Sequence, residues 1–289
     1  MEALIGALLD RVDGVAAAVG DRFPLYAQGE QWRTTARGSW AGGCWVGTLW
    51  LRAKLTGEVG AAEAWTRRLV RWTHEDTACR GLIFWYGAAG HRLGVTADHS
   101  VATDAAAALA SSFDGREIPW GTALGPEPEC RVDGAAGTVP LLAWAGHRTE
   151  ALAHSRFHLA RPTGVWDRGR AWHALVAADT AHWLGVRHES DTGGEFADTS
   201  AGAIAAVARL KLGLGADLLE RVADRVRRGR LRGGVYSGQN DLETVWGNYF
   251  LLLGAAIALP LPEFDLHAGV EAVRQPLGQL LETRREHRL

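Results

Sequence analysis

The segment "CRVDGAAGTVPLLAWAG", residues 130–146, sets one carboxylate, Asp133, ahead of a run that is otherwise small or apolar. A carboxyl at such an entrance has two uses. It can cap a helix by accepting a bond from an orphan N–H, or it can move a proton. Similar polar groups open other apolar stretches. "GSWAGGCWVGTLW" brings Trp40, "WTHEDTACRGLIFW" brings His74, Glu75 and Asp76, and "EFADTSAGAIAA" brings Asp198. "VWDRGRAW" brings Trp166, Asp167, Arg168, Arg170 and Trp172. Arg168 and Trp172 lie four apart, which places them on one helix face. A guanidinium beside an indole suits a carboxylated sugar: one group takes the carboxylate and the other stacks on the ring. The plain alternatives stand beside this reading: Asp76, Asp133 and Asp198 as N-caps, and Arg168 paired with Asp167 or a neighbouring carbonyl.

These groups must be positioned by helices. Alternating β-branched runs are nearly absent, while Ala, Leu and Arg fill the long segments. The spacing predicts helices near 4–19, 41–57, 60–72, 79–94, 98–112, 134–146, 148–159, 167–184, 199–212, 215–228, 241–257 and 267–284. Gly, Pro and Asx clusters separate them. Segments such as "AGAIAAVARL" are apolar nearly all round and belong inside, whereas "LLERVADRVRRGR" carries an exposed face. Alternation of the two kinds predicts an all-α fold, a six-fold α/α barrel, as one domain over residues 1–289. If the inner helices run parallel, their polar N-terminal ends meet at one mouth.

The bulk numbers narrow the classes. The formal net charge is −2, which gives no electrostatic case for nucleic acid or an anionic membrane. No apolar run reaches the roughly 18 residues that span a bilayer. The first segment, "MEALIGALLDRVDGVAAAVGDRF", reads as an amphipathic helix and not a signal peptide. Cys44, Cys79 and Cys130 are scattered without a CxxC pair, which disfavours a disulfide framework or a zinc site and fits a reducing cytoplasm. Thirteen Trp, against 4 Tyr and 7 Phe, supply flat rigid surface for a core or for a sugar-binding wall.

The landmarks "FPLYAQGEQW", "GSWAGGCWVGTLWLRAKLTGE", "HEDTACRGLIFWYGAAGHRLG", "RVDGAAGTVPLLAWAG", "WDRGRAW", "DTSAGAIAA" and "WGNYFLLLGAA" occur in one order. In that order the chain resembles the unsaturated glucuronyl hydrolases of glycoside hydrolase family 88 and the related unsaturated rhamnogalacturonyl hydrolases, over about residues 1–258. "WDRGRAW" matches the family's W-A-R-G-Q-A-W. The resemblance implies Asp133 as general acid/base with Asp76 as a second catalytic carboxylate. It implies Trp40, Arg168 and Trp172 as substrate-binding residues, with His74, Trp166 and His158 as further candidates, and neither metal nor cofactor. The implied reaction is hydration of a vinyl ether, for which Asp133 must hold a proton at rest; burial beside Trp and Asp76 would supply that.

Three features depart from the family. The insert that carries an H-Q-G-Y-like motif is absent, and only "HRTEALAHSRFHLARPTG" links Asp133's region to Trp166. His154 and His158 are the candidates to replace it, or are solvated on a surface helix. The outer helix between the fourth and fifth inner helices is also missing, and 267–284 is the candidate to fill that gap. Asp167 and Arg170 replace alanine and glutamine in the signature, at the end expected to face substrate. The expected partner is an acidic small molecule or oligosaccharide, and a homo-oligomer is allowed. Two other readings stay open: hydratase, dehydratase or isomerase chemistry on a small uronate or enol ether, and a non-catalytic sugar-binding protein on the same barrel.

Overall fold

A computed structural model of the chain describes residues 1–125, 131–163, 166–190 and 193–259. Eleven α-helices dominate these residues. They are α1 (Glu2–Val19), α2 (Ser39–Thr56), α3 (Gly60–Leu69), α4 (Arg80–Gly87), α5 (Ser100–Ser111) and α6 (Thr138–Trp144). There follow α7 (Arg148–Leu159), α8 (Asp167–Leu184), α9 (Thr199–Lys211), α10 (Asp217–Ala223) and α11 (Val245–Ala258). Helices α2, α4, α6, α8, α9 and α11 pack each on the next, and α11 closes on α2. That closed ring of six is the inner layer. Helices α1, α3, α5, α7 and α10 pack outside it, each against an adjacent inner pair. The expected α/α barrel is therefore present. Among the described residues no outer helix lies between α8 and α9, which pack extensively on each other. The helix expected over 267–284 lies outside the described residues, as does Cys130.

Small residues let the inner helices approach. A Cβ on Gly43 of α2 would stand 2.3 Å from the Leu82 carbonyl oxygen on α4. A Cβ on Gly81 of α4 would stand 2.0 Å from Thr138 Oγ1 and 2.2 Å from Thr138 N, at the start of α6. Thr138 Oγ1 itself donates to the Ala78 carbonyl at 3.0 Å. The Leu82 oxygen and the Thr138 nitrogen are backbone atoms, which cannot yield by a rotamer change. Gly81→Ala is accordingly expected to lower stability by about 1–3 kcal/mol or more, read as a drop in the thermal unfolding midpoint by circular dichroism.

Aromatic rings plug the centre of the ring. Tyr86 meets Tyr249 and Phe250 at centroid distances of 5.0 and 5.3 Å, and Trp172 meets Phe250 edge-on at 5.4 Å. All four are buried. The barrel therefore has a packed aromatic floor.

The chain also forms strands that helix periodicity did not announce. β1 (Phe23–Gln28) and β2 (Gln31–Thr35) make a hairpin, and β6 (Gln239–Thr244) and β5 (Gly234–Tyr236) extend it in the order β2-β1-β6-β5. β3 (Val226–Arg227) and β4 (Arg230–Leu231) form a second, two-stranded sheet. The helices expected over 215–228 and 241–257 are shortened to α10 and α11 as a result. The reason is turn chemistry. Arg228–Gly229 and Ser237–Gly238 have φ of 52, 74, 49 and 76°, so each is a two-residue loop with both residues in the left-handed region. Such loops set tight hairpins, and a helix cannot pass through them.

Candidate active site

The inner helices run parallel, and their first turns meet. Trp246 Nε1 of α11 donates to Ser200 Oγ of α9 at 2.9 Å. Trp40 of α2 packs on Trp246 at 4.8 Å, and Tyr236 of β5 packs on both. At this end lies a cavity of about 600 Å³. Three arginines reach its wall: Arg131, Arg161 and Arg168, with Trp166, Tyr236 and His158 beside them.

Arg168 comes from the first turn of α8. Its Nη1 donates to the Val235 carbonyl at 2.8 Å and stands 3.8 Å from Asp198 Oδ2. Its guanidinium lies 5.2–5.6 Å from the ring centres of Trp246, Trp166 and Tyr236. Burial lowers its pKa from the ordinary value, while Asp198 and Asp133 pull the other way. A largely buried guanidinium with spare donors is a ready acceptor of a carboxylate. Asp198 is the helix cap that its sequence position suggested: Oδ1 accepts from Ser200 N at 3.0 Å and Ser200 Oγ at 2.6 Å.

Asp133 is not a cap. It sits in a 3₁₀ turn, Val132–Gly134, ahead of α6, whose N-cap is Gly137. Its carboxylate takes Arg131 Nη2 at 2.9 Å and Nε at 3.4 Å, and its side chain is 15% exposed. Arg131 in turn lies 5.3 Å from the ring centres of both Trp120 and Trp166. Asp133 thus stands immediately behind a cavity-wall arginine.

Trp166 is 36% exposed and forms the flat side of the cavity. Its indole lies over the first turn of α8, where a Cβ on Gly169 would come within 2.4 Å of the ring. The glycine of "WDRG" is thereby explained by close approach. The two altered positions of that signature are structural. Asp167 Oδ1 pairs with Arg170 Nη2 at 2.9 Å, and Asp167 Oδ2 accepts from Ala197 N at 2.8 Å and Asp198 N at 3.2 Å. Arg170 also donates to the Glu195 carbonyl and lies over Phe196. Together they clasp the segment that leads into α9 and do not line the cavity, contrary to the expectation that they face substrate.

The remaining candidates separate by position. Trp40 borders the cavity through Tyr236. Trp172 does not offer a stacking face: it is 1% exposed, shut into the aromatic floor against Phe250. Asp76 and His74 are exposed and are not part of the cavity wall. Asp76 holds a loop instead. Its Oδ2 accepts from Thr122 N at 3.0 Å and Thr122 Oγ1 at 3.1 Å, and its carbonyl accepts from Thr122 N and Ala123 N. With Ala78 N donating to the Trp120 carbonyl at 3.0 Å, this fixes residues 120–123 beside the start of α4. Among the described residues no cluster of three His, Cys, Asp or Glu is placed to hold a metal.

His154 and His158 are both buried, not solvated as a surface helix would allow. His158 reaches the cavity wall and lies 4.6 Å from His154, ring centre to ring centre. Burial drives the His154 pKa down to about 4 and that of His158 to about 2, the latter with help from His154 and Arg161. A histidine whose folded pKa falls below its unfolded value of about 6.5 takes its proton only on unfolding. Stability is then intact above pH 6.5 and falls as the pH drops from there toward 4, by about 1.4 kcal/mol per pH unit for each such imidazole. Urea unfolding at pH 7 and pH 5 checks this, and a His158→Gln variant should show the flatter dependence.

Sequence reasoning missed Tyr236, Arg131 and Arg161. For Tyr236 the available signal was the Ser237–Gly238 turn after "GVY", which makes a hairpin and brings the ring back over Trp40 and Trp246. Arg131 is adjacent to the Asp133 motif and could have been read as its partner. Arg161, which lies 3.9 Å from the Phe157 ring centre, carried no local signal.

No protein-family model matches the chain, and no curated protein matches it in sequence. Solved structures share its fold. An unsaturated glucuronyl hydrolase from Bacillus sp. GL1, described as responsible for the degradation of glycosaminoglycan, superposes with a TM-score of 0.70 at 23% identity, over 87% of this chain and 94% of that one. An unsaturated glucuronyl hydrolase specific for heparin gives 0.71 at 17% identity, over 92% and 99%. A variant of the Streptococcus agalactiae unsaturated glucuronyl hydrolase, complexed with dGlcA-GalNAc6S, gives 0.66 at 16% identity, over 88% and 89%. The chain thus has the α/α-barrel fold of these hydrolases across nearly its whole described length.

Proposed function

We propose that the chain is a divergent unsaturated uronyl hydrolase. The observation that carries this reading is a cavity walled by an anion-binding candidate, Arg168, with a proton-transferring candidate, Asp133, paired to the wall residue Arg131 just behind it. Asp133 stands behind Arg131, and Arg168 opens on the same wall beside Trp166. The complex of one structural neighbour, a variant of the Streptococcus agalactiae unsaturated glucuronyl hydrolase, with dGlcA-GalNAc6S supports the choice of ligand.

The 4,5-unsaturated uronyl group is an enol ether. In the proposed reaction its carboxylate is held by Arg168 and its ring lies against Trp166. Asp133 gives a proton to C4, leaving an oxocarbenium ion whose charge is shared by C5 and the ring oxygen. Asp133, now ionised, takes a proton from water as the water oxygen bonds to C5. The hemiketal so formed opens its ring, and the hemiacetal left at C1 releases the aglycone. No carboxylate pair at a retaining or inverting spacing is needed, because the bond first attacked is C4=C5 and not the glycosidic bond.

The direct test is incubation with unsaturated uronyl disaccharides while following the ultraviolet absorbance of the C4=C5 bond. Loss of absorbance with release of the second sugar is the expected result. Unchanged absorbance across chondroitin-, heparin- and gellan-type disaccharides, under conditions where the protein is folded, would reject the reading.

A further inference from the structure

Beyond the residues that face the cavity, one buried side chain joins the turn that holds Asp133 to the segment that packs behind it. His154 lies on α7, is 0% exposed and is enclosed by elements distant in sequence. Its Nδ1 accepts the backbone N–H of Ile118 at 3.0 Å. A nitrogen that accepts carries no proton, so the ring's hydrogen is on Nε2, which points to the Gly134 carbonyl at 3.4 Å. Gly134 closes the 3₁₀ turn that holds Asp133. Ile118 lies two residues before Trp120, whose ring packs on Arg131, the partner of Asp133. The imidazole therefore grips the Asp133 turn with one nitrogen and the Trp120 segment with the other. No backbone bond between the 114–118 segment and the 131–134 turn is needed to keep them in register.

We propose that His154 is a positioning residue: it clamps the Asp133 turn to the Ile118–Trp120 segment and so fixes where the Asp133 carboxyl and its Arg131 partner stand at the cavity. It touches no reacting atom. The consequence for turnover rests on the reading of Asp133 as the proton donor; the clamp itself does not. The rest of the surroundings agrees. The 114–118 segment is pre-folded by Asp114, whose Oδ1 accepts from Arg116 N and Glu117 N at 2.8 Å each, so it is a rigid body for His154 to hold. His158, one turn on, packs its ring edge-on to His154 and fixes the imidazole plane.

The test compares His154→Leu, which fills the space and removes both bonds, with His154→Gln, whose amide can accept from Ile118 and donate to Gly134. Backbone hydrogen exchange is measured on both with the wild type, together with kcat and KM on an unsaturated uronyl disaccharide. In His154→Leu, exchange should rise about tenfold or more in two separate segments, 114–121 and 131–137, with the inner-helix cores unchanged. In the same variant kcat should fall about 10- to 100-fold, as expected for a reacting group misplaced by a fraction of an ångström to one ångström, with KM within about twofold. His154→Gln should recover most of both. Exchange that rises only within α7, or in neither segment, overturns the clamp. Joint loosening with unchanged kcat confines the clamp to stability and overturns its role in positioning. If the wild type turns over no unsaturated uronyl substrate, the proposed function fails, and the exchange pattern alone decides the clamp. Should the Leu variant not fold, His154→Asn, too short to span both partners, gives the same comparison.

Discussion

Asp133→Asn is expected to fold as the wild type does and to lose turnover of an unsaturated uronyl substrate by a factor on the order of 10²–10⁴. The asparagine keeps the shape of the side chain and can still accept from Arg131, which is itself partly open to solvent, so the 3₁₀ turn has no reason to move. What it cannot do is deliver a proton to carbon. Among the described residues no other carboxylate is placed to substitute: Asp198 is spent on the cap of α9 and Asp76 on the Thr122 loop. Initial rates from the ultraviolet absorbance of the C4=C5 bond, on a variant whose circular dichroism matches the wild type, check this. Near-normal rates would remove Asp133 from the mechanism.

Arg168→Lys is expected to reduce kcat/KM about 10- to 100-fold although the charge is kept. A hydrogen bond to a charged group contributes about 1.5–3 kcal/mol, and the planar fork that reaches a carboxylate while also bonding the Val235 carbonyl cannot be copied by an ammonium. The specific check is a ratio. Wild type should prefer the free uronate to its methyl ester by a similar factor, and Arg168→Lys should lose most of that preference. Equal activity of the wild type on acid and ester would show that Arg168 does not hold the carboxylate, whatever the variant does. Because Arg168 also lies over Trp246, Trp166 and Tyr236, a change confined to stability would appear in the unfolding midpoint with the ratio intact.

Much of the scaffold is written in local spacing. Helix signals depend on residues three and four apart, and on caps within a turn, so α1, α2, α7, α8 and α9 fall within two residues of their expected bounds. The near-absence of charge in the middle of α2, α9 and α11 marks them as inner helices from sequence alone. Asp133 and Arg168 were legible for the same reason: each is a polar group at the start of an apolar helix, and parallel inner helices bring such starts together. The strands over 226–244 were not legible from periodicity, because they are two to six residues long and are created by turns whose Arg228 and Ser237 are unusual residues for positive φ.

By itself, then, the sequence determined where most of the helices run, which of them are buried, and which end of the barrel carries polar groups. Only the tertiary structure decided which of those groups share a cavity. Trp172 and Arg168 lie on one face of α8, yet the ring of Phe250 from α11 covers the indole and leaves the guanidinium at the wall. His154 and His158 read as surface histidines on a charged helix until residues 113–120, more than thirty positions away, fold over them. Asp76 reads as a free carboxylate at a helix start until Thr122 bonds its Oδ2. In each case the deciding partner is remote in the chain. Burial and pairing are set by how the ring closes, whereas periodicity reports only the nearest turn of helix.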